Sequence, residues 1–281
     1  MRAGPESYDE KYYLESCGGA EFFRLYGAAV LKPQLAAAFQ SAALRPGMSV
    51  LDLGCGRGEM LLHARKAQAY AVGTDFSHEA LKIAREVSES PVLLCDAQAL
   101  PFQGAVFDRV FFLGVMDHLE GDLLERVFAE IGRILKPGGF ALAHTCTNRL
   151  YYKNWTYGLR RKAAKGLRRL GLPMKEPSPP RSEEDHALHI NEHSLGDLER
   201  FFKKIGWEAE IRAQPNYKLM VEELYGEELP PEFPMRQAPA WKTLLFKKLL
   251  LRSPLRHFLA REFLVLAKPR TPPERELGGV S

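Results

Sequence analysis

The chain has 281 residues, of which 46% are hydrophobic and 26% are charged, a composition typical of a globular protein with a substantial core. It contains no run of about eighteen apolar residues that would predict a membrane-spanning helix, and its first residues lack the charged-then-apolar layout of a signal peptide. Its four cysteines form no C-x-x-C pair. We therefore predict a reduced cytoplasmic protein without a metal site.

The net charge of +4 conceals two strongly basic segments. Residues 158–175 carry seven Lys or Arg, residues 241–261 carry six, and neither segment contains an acidic residue. Without these cations the remainder of the chain is acidic, so the positive charge is local. The pattern predicts a surface for an anionic or phosphate-bearing substrate, or for peripheral contact with a membrane.

The first elements in the chain are a tyrosine-rich segment and a helical region. Tyr8 to Tyr13 contains three tyrosines, which we interpret as an aromatic strap packed on the sheet. Residues 21–43 predict one or two helices, with Pro33 at a helix start, where a missing amide hydrogen costs little.

A glycine-dense loop then follows the first predicted strand. Val50 to Leu53 is apolar apart from Asp52, and glycines stand at positions 54, 56 and 58 before an amphipathic helix begins near Met60. Glycine permits backbone angles closed to other residues and lets a ligand approach the main chain. The free amides of a helix start suit a carboxylate or a phosphate. Asp75 ends the next apolar run, where a carboxylate can accept both ribose hydroxyls of a nucleoside.

Three further predicted strands each stand beside a short loop or turn. The strands and the segments beside them are Val92–Leu94 before Cys95-Asp96-Ala97, Phe107–Phe112 before Gly114–Leu119, and Phe140–His144 after the turn Leu135–Gly139. Strands alternate with helices up to residue 147, which predicts an α/β fold with a doubly wound parallel sheet.

Taken in this order, the motifs resemble those of the class I, Rossmann-like, S-adenosyl-L-methionine (SAM)-dependent methyltransferases. The resemblance is close over residues 45–147 and loose over 190–270. It implies a mostly parallel seven-stranded sheet whose closing strand, Phe263–Ala267, runs antiparallel between strands five and six. It also implies SAM as the cofactor, S-adenosyl-L-homocysteine as the product, and an N-terminal lid as a second interpretation of the tyrosine segment.

The same resemblance implies the cofactor-binding residues. The glycines would lie along the methionine portion, Asp75 on the ribose, and Asp96 with Ala97 beside the adenine, while Asp52 would order the loop or meet the methionine amino group. The full predicted set is Asp52, Gly54, Cys55, Gly56, Gly58, Asp75, Phe76, Asp96, Ala97, Leu113 and Gly114.

The strand–helix pattern is interrupted by two segments that we interpret as substrate caps. They leave the sheet on the side of the strands' carboxyl ends, where ligands bind in such folds. The predicted organisation is an N-terminal lid with helices (1–44), a SAM-binding core (45–147, 191–215 and 261–270), two cap insertions (148–190 and 216–260) and a tail (271–281).

Histidines near these strand ends are the candidate bases, because imidazole titrates near neutral pH. We favour His118 and His189 as catalytic, with the ordinary structural role of a histidine left open. The predicted substrate contacts are Tyr12, Tyr13, Asp117, His144, Asn191 and His193. The histidine-rich stretch 185–193 is interpreted as a polar pocket wall and not as a metal site.

The predicted activity is methyl transfer to O or N of a small-molecule acceptor, such as a natural product, a sugar or a lipid-linked compound. A second interpretation is an RNA methyltransferase that uses the basic insertions as a phosphate footprint. Nucleic acid is disfavoured because Gly114–Asp117 is not an N-P-P-Y-type loop and no appended RNA-binding module is visible. The sequence is also compatible with a lipid methyltransferase at the membrane surface and with a non-catalytic protein of this fold.

Overall fold

The fold is described from a computed structural model of the chain. The residues it describes are 9–145, 148–177, 190–214, 224–225, 241, 244–245 and 253–270. Among them, no helix is both long enough and apolar enough to cross a bilayer.

A seven-stranded sheet forms the centre of the molecule. Its strands are β1 (Ser49–Leu53), β2 (Tyr70–Asp75), β3 (Val92–Leu94), β4 (Phe107–Leu113), β5 (Leu135–Thr145), β6 (Trp207–Gln214) and β7 (Glu262–Pro269). Their order across the sheet is β3-β2-β1-β4-β5-β7-β6. The first five strands pair in parallel, and β7 is antiparallel to both β5 and β6. The predicted fold class and the position of the closing strand are confirmed.

Helices cover both faces of this sheet. They are α1 (Ala20–Tyr26), α2 (Pro33–Ala42), α3 (Glu59–Lys66), α4 (His78–Ser88), α5 (Gly121–Ile134), α6 (Tyr152–Trp155), α7 (Tyr157–Arg169), α8 (Leu195–Lys204) and α9 (Arg256–Leu259). Local chemistry sets several of the starts. Pro33 is the first residue of α2, and Ser77 caps α4 by accepting the Ala80 amide at 3.3 Å. Ser194 and Asp197 form a reciprocal capping box on α8.

The central strands are mostly apolar and buried, because both of their faces are covered. In β1, for example, Val50 to Leu53 are all buried. On one face the core centres on Phe128 of α5, whose ring lies within 5.1–5.8 Å, centroid to centroid, of four other aromatic rings. Those rings belong to Phe112, Phe201, Phe202 and Trp207. Their packing joins α8 and β6 to the parallel half of the sheet.

The start of β5 differs from the predicted turn. Helix α5 ends at Ile134, and Leu135 already pairs with Phe107 of β4, after which the register shifts before Phe140 pairs with Arg109. A Cβ built on Gly139 would lie 3.0 Å from the main-chain oxygen of Asp108. The glycines therefore allow an irregular start to the strand instead of a separate turn.

Candidate functional site

The glycine loop lies at the carboxyl end of β1 and bends towards β2. Gly54, Gly56 and Gly58 have φ values of +78°, +49° and +80°, a region that side chains with a Cβ rarely adopt. The amides of Gly54 and Cys55 both donate to the main-chain oxygen of Thr74, at 2.7 and 2.9 Å. The loop is thereby held against the end of β2.

Two of the glycines also allow close packing of neighbouring elements. A Cβ on Gly54 would lie 2.5 Å from Cγ2 of Val115, and one on Gly58 would lie 2.8 Å from Cα of Ala84 in α4. Both distances are shorter than van der Waals contact. Gly58 therefore lets α4 approach the start of α3, and Gly54 lets the loop after β4 approach the end of β1.

Asp75, at the end of β2, is buried against this loop. Its Oδ2 accepts the Gly56 amide at 3.1 Å and its Oδ1 accepts the Ser77 amide at 3.0 Å. Burial raises the pKa of the carboxyl group, although these backbone hydrogen bonds oppose the shift. The Phe76 amide is a third donor to this carboxylate. One of its four lone pairs remains free, so the side chain can still accept a hydrogen bond from a ligand.

Asp52 is the second buried carboxylate of the site, 4% exposed. Burial, followed by the nearby charges of Glu59 and Asp75, raises its pKa to about 8. No hydrogen bond joins its carboxylate to the part of the chain that the structure describes. A positively charged ligand group beside Asp52 would stabilise the ionised carboxylate by direct attraction.

Arg57, a residue of the glycine loop that the sequence did not single out, is 3% exposed and joins the loop to the N-terminal segment. Its guanidinium pairs with Glu59 at 2.8 Å and donates to the main-chain oxygens of Tyr13 at 2.8 Å and Gly18 at 3.3 Å. It also lies 5.1 Å from the centroid of the Phe23 ring. An arginine among three loop glycines was the available signal, but the two main-chain oxygens to which it donates lie some forty residues away in the chain.

The tyrosine segment covers the glycine loop. Tyr12 to Ser16 form a short π-helical stretch, and a Cβ on Gly56 would lie 3.7 Å from the buried ring of Tyr13. Tyr12 stacks edge-on against Tyr13 at 5.2 Å. Phe76 packs in the same small apolar cluster at the start of α4. This position is compatible with both interpretations of the segment, the strap and the lid.

The remaining predicted cofactor residues lie at neighbouring strand ends. Asp96 is exposed after β3, and its Oδ1 accepts the Gln98 amide at 2.9 Å; Ala97, beside it, is half-buried. Leu113 ends β4, and Gly114 follows with a φ of +72° and no atom within 4 Å of where a Cβ would stand. Open space therefore borders the main chain at the end of β4.

Three predicted substrate residues meet at this edge. The amide of Asn191 donates to the main-chain oxygen of Asp117 at 3.0 Å, and its side chain donates to that of Leu119 at 2.9 Å. His193 is buried nearby, and burial lowers the pKa of its imidazole, opposed by the charge of Asp117. The end of the first insertion is thus attached to the loop that follows β4.

His144, predicted as a substrate contact, forms a buried pair with Glu262. Its Nε2 lies 2.9 Å from Oε2 of Glu262, the first residue of β7, and the two residues are 5% and 4% exposed. His144 also lies opposite Leu113 in the β4–β5 ladder, which puts the pair beside the open end of β4. The sequence did not indicate Glu262, because only the antiparallel pairing of β5 and β7 brings it to His144.

The two predicted catalytic histidines have different outcomes. His118 is half-buried in a short 3₁₀ turn, Met116–His118, directly after β4, and its amide donates to the oxygen of Val115 at 3.0 Å. His189 lies outside the described residues, as does most of the second insertion. Of that insertion, Tyr225 donates its hydroxyl to the main-chain oxygen of Leu31 at 2.6 Å.

This sheet order and this loop are those of a known class of domain. Residues 51–143 match the family model described as a methyltransferase domain. UbiE, the ubiquinone/menaquinone biosynthesis C-methyltransferase of Bordetella parapertussis, is 40% identical over 110 residues, 35% of this chain and 40% of that protein. The tRNA (carboxymethyluridine(34)-5-O)-methyltransferase of Arabidopsis thaliana is 33% identical over 111 residues, 39% of this chain and 26% of that protein. The chain spans less than half the length of the curated relatives it matches.

The fold has counterparts among solved structures. A complex between the Haloferax volcanii Trm112 methyltransferase activator and a methyltransferase contains a similar chain, with a TM-score of 0.55 and 17% identity over 92% of this chain and 97% of that one. At this identity the likeness concerns the fold. Residues 51–143 match a methyltransferase domain, and the sheet order agrees with the resemblance to the class I SAM-dependent methyltransferases, whose cofactor is S-adenosyl-L-methionine.

The residues present fit this cofactor. The positively charged methionine portion suits Asp52, a buried carboxylate without a hydrogen-bond donor in the described structure. The first turn of α3 has main-chain amides without intrahelical partners, which suit a carboxylate. Asp75 has spare acceptor capacity for hydroxyl groups, and the space beside Gly114 leaves the edge of the sheet open to a ligand.

Proposed function

We propose that this protein transfers a methyl group from SAM to O or N of a small-molecule acceptor, such as a natural product, a sugar or a lipid-linked compound. The observation that carries the proposal is the arrangement at the ends of β1 and β2, where Asp52 and Asp75 flank three glycines of positive φ. This arrangement combines acceptors for hydroxyls, a partner for a cation and a main chain open to close approach.

In this proposal each group of predicted cofactor residues contacts a different part of the cofactor. Gly54, Gly56 and Gly58 line the methionine portion and Asp52 attracts its positive charge, while Asp75 accepts hydrogen bonds from the ribose. Phe76, Asp96 and Ala97 border the adenine, while Cys55, Leu113 and Gly114 line the cleft floor. The bound cofactor supplies a methyl group on a sulfonium, so the protein has mainly to position the acceptor and remove its proton.

The acceptor would enter between the ends of β4 and β5. His118 and His144 are the candidate bases there. With the Nε2 proton of His144 donated to Glu262, its Nδ1 would carry the lone pair that takes a proton from the acceptor. Asp117, Asn191 and His193 form the opposite wall in this proposal.

Calorimetric titration of SAM and S-adenosyl-L-homocysteine into the full chain tests the cofactor site. We expect binding to the wild type and a loss of at least tenfold in affinity for Asp75→Asn, since one hydrogen bond to a charged acceptor contributes about 1.5–3 kcal/mol. The matched control is Asp108→Asn: Asp108 also accepts a backbone amide, that of Ser49 at 2.8 Å, but lies at the opposite edge of the sheet. A wild type that binds neither compound, or equal losses in both variants, would contradict the proposal.

RNA is the second candidate acceptor. One relative is named as a tRNA methyltransferase, and α7 carries a run of Lys and Arg. Methylation assays with radiolabelled SAM on total RNA and on a small-molecule extract separate the two acceptor classes. Label recovered in RNA would replace the small-molecule proposal, whereas label in the extract alone would support it.

A further inference from the structure

The first insertion exposes large apolar side chains beside its cations. Trp155 is 66% exposed, Leu159 72%, Leu170 78% and Leu172 50%. Single exposed apolar residues are common on protein surfaces, but these four lie within one helical segment and the residues beside it. We call residues 155–172 the α7 surface.

The geometry of α7 places two of these side chains, Leu159 and Leu170, outward. Ala164 is its buried residue, and Tyr157 and Leu167, seven and three positions away, are half-buried. Leu159 and Leu170, eleven positions apart, point to a common side roughly 120–140° away from this inner face, since eleven residues make just over three full turns. The outer side of α7 is therefore an apolar stripe that the described structure does not cover.

Cations border this stripe on one side. Arg161 and Arg168 are partly neutralised, because both pair with Glu176, at 2.9 and 3.0 Å. Lys162, Lys165 and Arg169 are exposed and form no ion pair with any described residue. A net positive charge thus remains next to Leu159 and Leu170.

We propose that the α7 surface binds the surface of an anionic phospholipid bilayer. Trp155, Leu159 and Leu170 would insert at the level of the headgroups, while Lys162, Lys165 and Arg169 would attract lipid phosphates, the combination found in helices that lie in the membrane interface. A nucleic-acid footprint would account for the cations, but it would leave the exposed apolar side chains unused. The apolar stripe therefore favours the bilayer. This inference stands independently of the cofactor site and would bring the protein to lipid-linked acceptors.

Flotation of the full chain with vesicles tests the proposal. The vesicles are made of phosphatidylcholine alone or mixed with phosphatidylglycerol, and every variant is first checked for an unchanged thermal melt. We expect flotation with the anionic vesicles and much less with the neutral ones. Lys162→Gln with Lys165→Gln should lower the partition coefficient roughly fivefold per charge removed. Leu159→Ser with Leu170→Ser should lower it by at least a similar factor at unchanged charge.

Two single-substitution controls remove an exposed apolar side chain or an exposed charge elsewhere on the surface. Tyr70→Ser removes a side chain that is 74% exposed at the start of β2, and Lys66→Gln removes an exposed charge at the end of α3. Both should float like the wild type. The proposal is overturned if the wild type does not distinguish the two vesicle types, or if the leucine variant floats normally. If the protein binds RNA, and the lysine variant loses this binding while the leucine variant keeps it, the surface is assigned to nucleic acid instead.

Discussion

The guanidinium of Arg57 donates a hydrogen bond to the main-chain oxygen of Tyr13 at 2.8 Å, so the glycine loop itself holds the segment that covers it. The same side chain pairs with Glu59 at the start of α3. The covering segment and the candidate cofactor loop therefore share one buried charge. A change at Arg57 should affect both.

Arg57→Met is expected to loosen the N-terminal segment. The substitution removes a buried cation from Glu59 and leaves the oxygens of Tyr13 and Gly18 without their donor, which should lower the free energy of unfolding by about 3 kcal/mol. Urea denaturation measures this loss, and hydrogen exchange should show faster exchange over residues 9–26. Arg200→Met is the control, because its ion pair with Asp197 lies at the surface and should contribute less than about 1 kcal/mol. Unchanged exchange over 9–26 in the Arg57 variant would contradict the coupling.

Gly58→Ala separates backbone strain from steric overlap. Gly47 has nearly the same φ, +81° against +80°, but a Cβ there would meet no atom within 4 Å. Gly47→Ala should therefore cost only the strain of the left-handed region, about 1–2 kcal/mol. Gly58→Ala adds the overlap with Ala84, for a further loss of about 1–3 kcal/mol. Equal destabilisation of the two variants in chemical denaturation would show that α4 moves away freely.

Asp52 should make stability depend on pH. Its folded-state pKa of about 8 is above the ordinary value of 3.8, so folding takes up a proton between these values. The stabilisation is complete below the unfolded pKa and is lost as the pH rises through the folded one. The lowered pKa values of His63 and His193 act in the opposite direction. The unfolding free energy of the wild type relative to that of Asp52→Asn should therefore decrease between about pH 5 and pH 8. A residual slope is expected from Asp75, whose pKa is raised in the same direction.

Asp108→Asn is the control for this pH dependence. Burial opposes the shift, but the Lys136 ammonium and the Ser49 amide lower the pKa of Asp108 below its ordinary value. Its contribution is therefore present above the unfolded pKa and is lost only in acid. The slope between about pH 5 and pH 8 should equal that of the wild type. If Asp52→Asn also shows the wild-type slope of unfolding free energy against pH, then Asp52 is ionised in the folded protein throughout this pH range, and the prediction is wrong.

The buried His144–Glu262 pair, between β5 and β7, should contribute more to stability than a surface ion pair between β6 and β7. Glu262→Ala leaves a buried imidazole nitrogen without its partner, at a cost of about 1–3 kcal/mol. Glu208→Ala removes a carboxylate from the exposed pair with Lys268, 3.0 Å long, and should cost less than about 1 kcal/mol. Glu262→Gln, which can still accept from Nε2, should lose less than Glu262→Ala in urea denaturation. A larger loss of stability in Glu262→Gln than in Glu262→Ala would mean that the pair is not held by this hydrogen bond.

Much of the fold follows from local pattern alone. The apolar run of β1, the glycines after it and Ser77 before α4 each predict their element through backbone and capping chemistry that needs no distant partner. The same holds for the helix capped by Ser194. Where the prediction differed, at Leu135–Gly139, pairing with β4 turned an expected turn into the irregular start of a strand.

The sequence by itself determined the order of strands and helices and the family that the glycine and carboxylate motifs resemble. Both depend on residues that lie close together in the chain. Only the tertiary structure decided which distant residues meet. Arg57 reaches Tyr13 across forty-four positions, and Glu262 reaches His144 across one hundred and eighteen. Such pairs depend on sheet order, strand register and burial, which bring segments that are distant in the chain to one edge of the sheet and remove these polar groups from water.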